Sequence, residues 1–83
     1  MPFDVYIIYS SSLDQYYTGH TENIENRLFR HNNSGSKASK KAKDWVLKYT
    51  EEFSTKPKAV IRELEVKRKK SRKYIELLIA GNN

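Results

Sequence analysis

The sequence contains no cysteine, which removes disulfide bridges and thiolate metal ligation together. A small disulfide-stapled secreted fold and a structural zinc knuckle are both excluded, and a cytoplasmic location is the simple expectation. Long hydrophobic runs are absent as well. The apolar stretch Val5-Tyr6-Ile7-Ile8-Tyr9 is too short for a signal-peptide core and lacks a preceding basic region, and no later run has the length to cross a bilayer. The expectation is a soluble chain with no membrane partner. With 83 residues there is room for one thin core and no second lobe, so residues 1–83 are read as a single domain whose active site lies on the face or edge of that core. Negative charge is the minority sign. Sixteen Lys and Arg against ten Asp and Glu leave a net charge of +6, which favours a polyanionic partner, nucleic acid before an anionic membrane surface.

Phe3 to Ser10 is β-branched and aromatic and predicts a strand; Ser11-Ser12-Leu13-Asp14 predicts a turn, and Gln15 to His20 a second strand. A connection of even length puts Tyr6 and Tyr17 on one face of this hairpin, because side chains alternate and opposed residues share a face. Asn23 is placed to cap a helix reaching about Asn32, with Ile24 and Leu28 as its buried stripe. From Asn32 to Lys43 apolar periodicity is lost and lysines accumulate, the pattern of a flexible basic loop. Trp45 to Phe53 resumes a strand, Trp45, Leu47 and Tyr49 alternating against Val46, Lys48 and Thr50. Ser54 or Thr55 then caps a helix with Pro57 in its first turn, running to about Lys69. Ser71 opens a last helix with Tyr74, Ile75, Leu78 and Ile79 on its apolar side, ending before Gly81.

Several residues break these patterns. On the helix from Pro57, at about 100° per residue, Ala59, Val60, Ile61, Leu64 and Val66 sweep out a broad apolar sector that also contains Glu63 and Lys67. A carboxylate on the core-facing side must be paired, hydrogen-bonded or bound to a cation. One reading is an i, i+4 pair between Glu63 and Lys67; the other is an oxygen ligand for Mg2+ or Mn2+ facing a cleft. Arg27 and His31 lie one turn apart beside the Ile24–Leu28 stripe. They are either solvated rim residues with buried stems or a pair reaching one phosphate. Tyr6 and Tyr17 are core aromatics by default. A phosphodiesterase needs a base, cationic stabilisation of a pentacovalent phosphorane and a metal, and a phenol serves as base only if neighbouring cations lower its pKa from about 10. Gly19 allows either a turn or a close backbone approach. The basic clusters are Lys37, Lys40, Lys41 and Lys43 in the loop and Lys67, Arg68, Lys69 and Lys70 with Arg72 and Lys73 beyond; each serves solubility or phosphate contact.

Taken together, Asp4-Val5-Tyr6, Tyr17-Thr18-Gly19, the segment Asn23 to Asn32 carrying Arg27 and His31, and Ala59 to Lys67 carrying Glu63 resemble the GIY-YIG nuclease domain family, over about Val5 to Ile79. The likeness is greatest to its small stand-alone bacterial members, which are excinuclease-like. Each half-motif alone is weak; their joint order is specific. The resemblance implies an α+β (α/β) fold in the order β-β-α-β-α-α, a small three-stranded antiparallel or mixed sheet flanked by three helices. It also implies Tyr6 as base, Tyr17 as a partner orienting water or phosphate, Arg27 and His31 as phosphate and water ligands, and Glu63 as the ligand of Mg2+ or Mn2+.

The expected activity is metal-dependent endonucleolytic hydrolysis of DNA, in repair or recombination, by a monomer or weak homodimer, with Lys37, Lys40, Lys41, Lys43, Lys67 and Arg68 on the nucleic acid. A protein partner supplying specificity fits so small a chain. The alternative is a noncatalytic nucleic-acid-binding module on the same scaffold.

Overall fold

The computed structural model describes residues 2–33 and 42–81. Its elements are β1 (Phe3–Ser10), β2 (Gln15–Thr21), α1 (Ile24–Asn33), β3 (Trp45–Phe53), α2 (Lys56–Lys69) and α3 (Arg72–Gly81). The strands form one sheet in the order β2-β1-β3, antiparallel throughout, so the fold is α+β. Residues 34–41, most of the segment expected as a basic loop, fall outside the described residues.

The central position of β1 follows from its composition. Val5, Tyr6, Ile7 and Ile8 are all buried, which a strand achieves only with both faces covered. The four-residue connection to β2 works as its even length requires. Tyr6 pairs with Gly19 and Ile8 with Tyr17, so both tyrosines share a face, while Thr18 and His20 turn to the other. Asp14 closes the turn at φ 53, a left-handed conformation that aspartate tolerates better than most residues. On the first face Tyr6, Ile8, Ala42 and Trp45 form a core onto which Leu13, Tyr17, Ile24 and Leu28 pack. On the second, α2 lies across β1 and β2 and buries Ala59 and Val66.

Simple alternation fails along β3. The register slips between Ile7, paired with Tyr49, and Ile8, paired with Leu47, so Lys48 is an extra residue and Tyr49 moves to the face opposite Trp45 and Leu47. There its hydroxyl donates to Glu51, whose carboxylate also accepts from Arg62 of α2 at 3.0 Å. The bulge thus gives α2 a polar anchor on β3.

Local signals account for the helix ends. Asn23 Oδ1 accepts from the Asn26 amide at 3.0 Å, a side-chain cap that starts α1. Thr55 occupies the cap position of α2 in extended backbone without a side-chain cap bond; Pro57 in the first turn sets the start. Lys70 ends α2 in the left-handed region at φ 47, and Ser71 Oγ accepts from the Tyr74 amide at 3.1 Å to begin α3. The apolar sector of α2 is narrower than its sequence implies: Ile61 and Leu64 are exposed, because the helix meets a three-stranded sheet along one stripe. On α1 the fully buried residue is His31, with Ile24 and Leu28 half-buried.

Candidate functional site

Tyr6 projects from the middle of the sheet towards β2, and Gly19 is what lets it. A β-carbon built on Gly19 would stand 2.7 Å from the Tyr6 hydroxyl oxygen and 2.9 Å from Cζ, closer than side chains tolerate. The glycine therefore makes room for the phenol, rather than for the turn or ligand approach that its position implied. Beyond it, the Tyr6 hydroxyl meets His31 Nε2 at 2.9 Å in a buried hydrogen bond. Tyr17 completes the cluster, its ring centroid 6.3 Å from that of Tyr6 and 4.8 Å from that of His31, with Trp45 closing the far side.

Electrostatics differ from what a ready-made base requires. Burial above all, then Tyr17 and, beyond the opposing pull of Arg27, Glu63 push the Tyr6 phenol well above its ordinary pKa, so it is a protonated donor in the free protein. His31 is shifted the other way, by burial first and then by Arg27 and Arg30. A neutral imidazole beside a protonated phenol accepts at Nε2, which places its own ring hydrogen on Nδ1. Arg27, one turn before His31, is thus within electrostatic reach of both members of the pair.

Glu63 arrives from the opposite face. Its Oε1 accepts from His20 Nδ1 at 2.5 Å and its Oε2 from Lys67 Nζ at 2.6 Å. The Lys67 ammonium also lies 5.9 Å from the Tyr17 ring centre, so α2 reaches round the open edge of β2 to the tyrosine face. Burial raises the Glu63 pKa, but the bonds from Lys67 and then His20 outweigh it and hold the carboxyl below its usual range. Two concavities flank this point. One of about 290 Å3 is lined by Arg27, Arg30, Asn26, His20 and Lys56; the other, of about 470 Å3, by Tyr16, Tyr17, Val66, Lys67, Lys70 and Ile75. Glu63 is held by one residue from each.

The structure therefore gathers Tyr6, Tyr17, Arg27 and His31 on one side of β2 and brings Glu63 to the strand from the other, through His20 and Lys67. Lys67 and Arg68 are exposed on α2, and Lys43 is exposed just before β3; Lys37, Lys40 and Lys41 lie outside the described residues. His20 carried no assigned role in the sequence, although alternation places it opposite Tyr17 and so on the side of α2. Asn32 was also missed: its carboxamide accepts from the Trp45 amide at 2.8 Å and donates to the Trp45 carbonyl at 3.1 Å, fixing the residue next to His31 against β3.

Residues 3–75 match the model of the GIY-YIG catalytic domain. The chain belongs to the GIY-YIG family. It is 39% identical over 66 residues to the UPF0213 protein SSP2268 of Staphylococcus saprophyticus, across 78% of this chain and 80% of that one. To the UPF0213 protein SH2523 of Staphylococcus haemolyticus it is 46% identical over 52 residues, 61% of this chain and 63% of the relative. The solution structure of the UPF0213 protein BH0048 from Bacillus halodurans superimposes with a TM-score of 0.60 at 31% identity, covering 96% of this chain and 84% of that one. The two half-motifs, Asp4-Val5-Tyr6 and Tyr17-Thr18-Gly19, lie side by side on the β1–β2 hairpin.

The donor set bears on the metal that the family implies. Among the described residues no group of three His, Asp or Glu side chains converges, so an all-protein cage is not on offer. A single carboxylate, still 14% exposed, fits a hard divalent cation that keeps most of its waters and takes further oxygens from a substrate phosphate. Glu63 is the residue that would hold it. No helix among the described residues is long and apolar enough to cross a membrane.

Proposed function

We propose that this GIY-YIG protein is an Mg2+- or Mn2+-dependent endonuclease that hydrolyses phosphodiester bonds in DNA. The observation that carries the reading is the gathering of a protonated, His31-bonded Tyr6, Tyr17, Arg27 and Glu63 around β2. Neutral His31 accepts the Tyr6 proton as the phenol oxygen takes one from the attacking water, so the Tyr6–His31 pair acts as the base. That shared proton answers the raised pKa of Tyr6, which disqualifies the phenol as a lone base. Arg27 supplies fixed positive charge where the phosphorane develops, and Tyr17 orients water or phosphate from the rim. A cation held by Glu63 would polarise the scissile phosphate and neutralise its charge.

DNA is the favoured substrate on charge and family grounds, with repair or recombination as the setting, the cytoplasm as the place, and a monomer or weak homodimer as the working form. The domain takes its specificity from DNA structure or from a protein partner. A nicking assay with Mg2+ on several DNA forms tests the reading. Glu63→Ala and Tyr6→Phe should each lower the rate about a hundredfold or more. Cleavage indifferent to both changes would refute it, and salt-sensitive binding without any cleavage would favour the noncatalytic module.

A further inference from the structure

Both oxygens of the Glu63 carboxylate are taken from within the chain. His20 Nδ1 holds Oε1 and Lys67 Nζ holds Oε2. The bond to Lys67 differs from the other i, i+4 pair among the described residues, Arg72–Glu76, in which both side chains are about half exposed: the Glu63 side chain keeps only 14% of its exposure, against 47% for Lys67. A lysine on the solvent side thus closes over a largely desolvated carboxylate. Such a carboxylate needs a counter-charge, and an ammonium is a compact point charge suited to the place.

That place is contested. A divalent cation approaching from solvent meets the oxygen that Lys67 already occupies at 2.6 Å. With Mg2+–oxygen distances of about 2.0–2.1 Å, cation and ammonium on one oxygen would stand a few ångströms apart, where screening is weak. His20 raises no such conflict, because it holds the other oxygen from β2. We propose that Lys67 is a resident counter-cation of Glu63: it neutralises the carboxylate until a divalent cation binds, is then displaced towards Tyr17, and leaves His20 holding the carboxylate in place. Lys67 thereby sets the cation affinity of the free protein, and His20 is a positioning residue. The inference rests on Glu63 being a cation ligand.

Titration of Mn2+ into the whole chain without nucleic acid, with free ion read by electron paramagnetic resonance, tests it independently of catalysis. Lys67→Met should tighten binding about tenfold, whereas Lys70→Met, which removes the same charge without touching Glu63, should change it by less than about threefold. Lys67→Arg, which keeps the charge, should stay near the wild type. His20→Ala should weaken binding, and His20→Asn, whose amide can replace the Nδ1 donor, should restore it. Should Lys67→Met fold poorly, the rise in its melting temperature with Mn2+ reads the same affinity and should exceed that of the wild type. Glu63-dependent binding that is no tighter in Lys67→Met than in Lys70→Met overturns the counter-cation alone. Binding unchanged by Glu63→Gln overturns it together with the assignment of Glu63.

Discussion

A methyl group added at Gly19 would have to displace the Tyr6 phenol, whose hydroxyl lies 2.7 Å from where the new carbon would stand. The ring cannot yield freely, because it is buried and its hydroxyl is bonded to His31. Gly19→Ala should therefore cost about 1–3 kcal/mol in urea unfolding, an overpacking penalty. The cost should shrink in a Tyr6→Phe background, where the nearest clashing atom is gone; an equal cost in both backgrounds would show that the phenol is not the obstacle. His31 adds a dependence on pH. Its folded pKa is lowered by burial, Arg27 and Arg30, so below the ordinary histidine value the unfolded chain binds a proton that the folded chain refuses. Its contribution is fully present above about pH 6.5 and is lost as the pH falls from there towards the folded value. Carboxyls held low, such as Glu63 and Asp14, act in a more acidic window. Urea midpoints across pH 5–7.5, the window set by the reference value of about 6.5, should fall towards acid in the wild type and flatten in His31→Gln.

At the scale of elements, most boundaries were legible because each has a local cause: the polar four-residue turn, the Asn23 cap, Pro57 in a first turn, Ser71 before the last helix. The even turn was enough to pair Tyr6 with Gly19 and bring Tyr17 to the same face. What no local pattern encodes is the bulge at Lys48, which depends on how β3 meets β1 and decides that Tyr49 serves α2 rather than α1. The contact between His20 and Glu63, separated by 43 positions, was hidden for the same reason, although each residue's face could be read. The clamp by Asn32 also depends on tertiary placement. It holds the last turn of α1 to the first residue of β3, and so sets where His31 lies relative to Tyr6. Asn32→Ala removes both bonds and should cost about 1–3 kcal/mol. Cleavage should fall by more than the folded fraction lost; activity that simply tracked the folded fraction would detach Asn32 from the site.

Across the whole molecule, the sheet separates α1 from α2, and the candidate site lies about β2, its edge strand, where Lys67 of α2 comes within 5.9 Å of the Tyr17 ring centre. Charge is distributed to suit a polyanion there. Among the described residues the close ion pairs engage Arg62, Lys67 and Arg72, and together with His20 they account for Glu51, Glu63, Glu65, Asp14 and Glu76. Half of the ten acidic residues are thus tied to a few cations, while Arg30, Arg68 and Lys70 are exposed and Arg27 is half-buried around the two concavities and α2. Binding carried by such residues releases counterions from DNA, so log Kd plotted against log salt should have a slope of about 3 or more in magnitude. The slope should rise by no more than about 1 in Glu63→Gln with the cation chelated, because Glu63 makes no phosphate contact of its own and its loss frees only Lys67, its ion-pair partner. Arg68→Ala should reduce the slope by about 1 without changing any preference among DNA sequences, as expected of a contact to phosphate rather than to a base edge. A flat salt dependence would remove DNA from the reading, whatever the geometry around Tyr6.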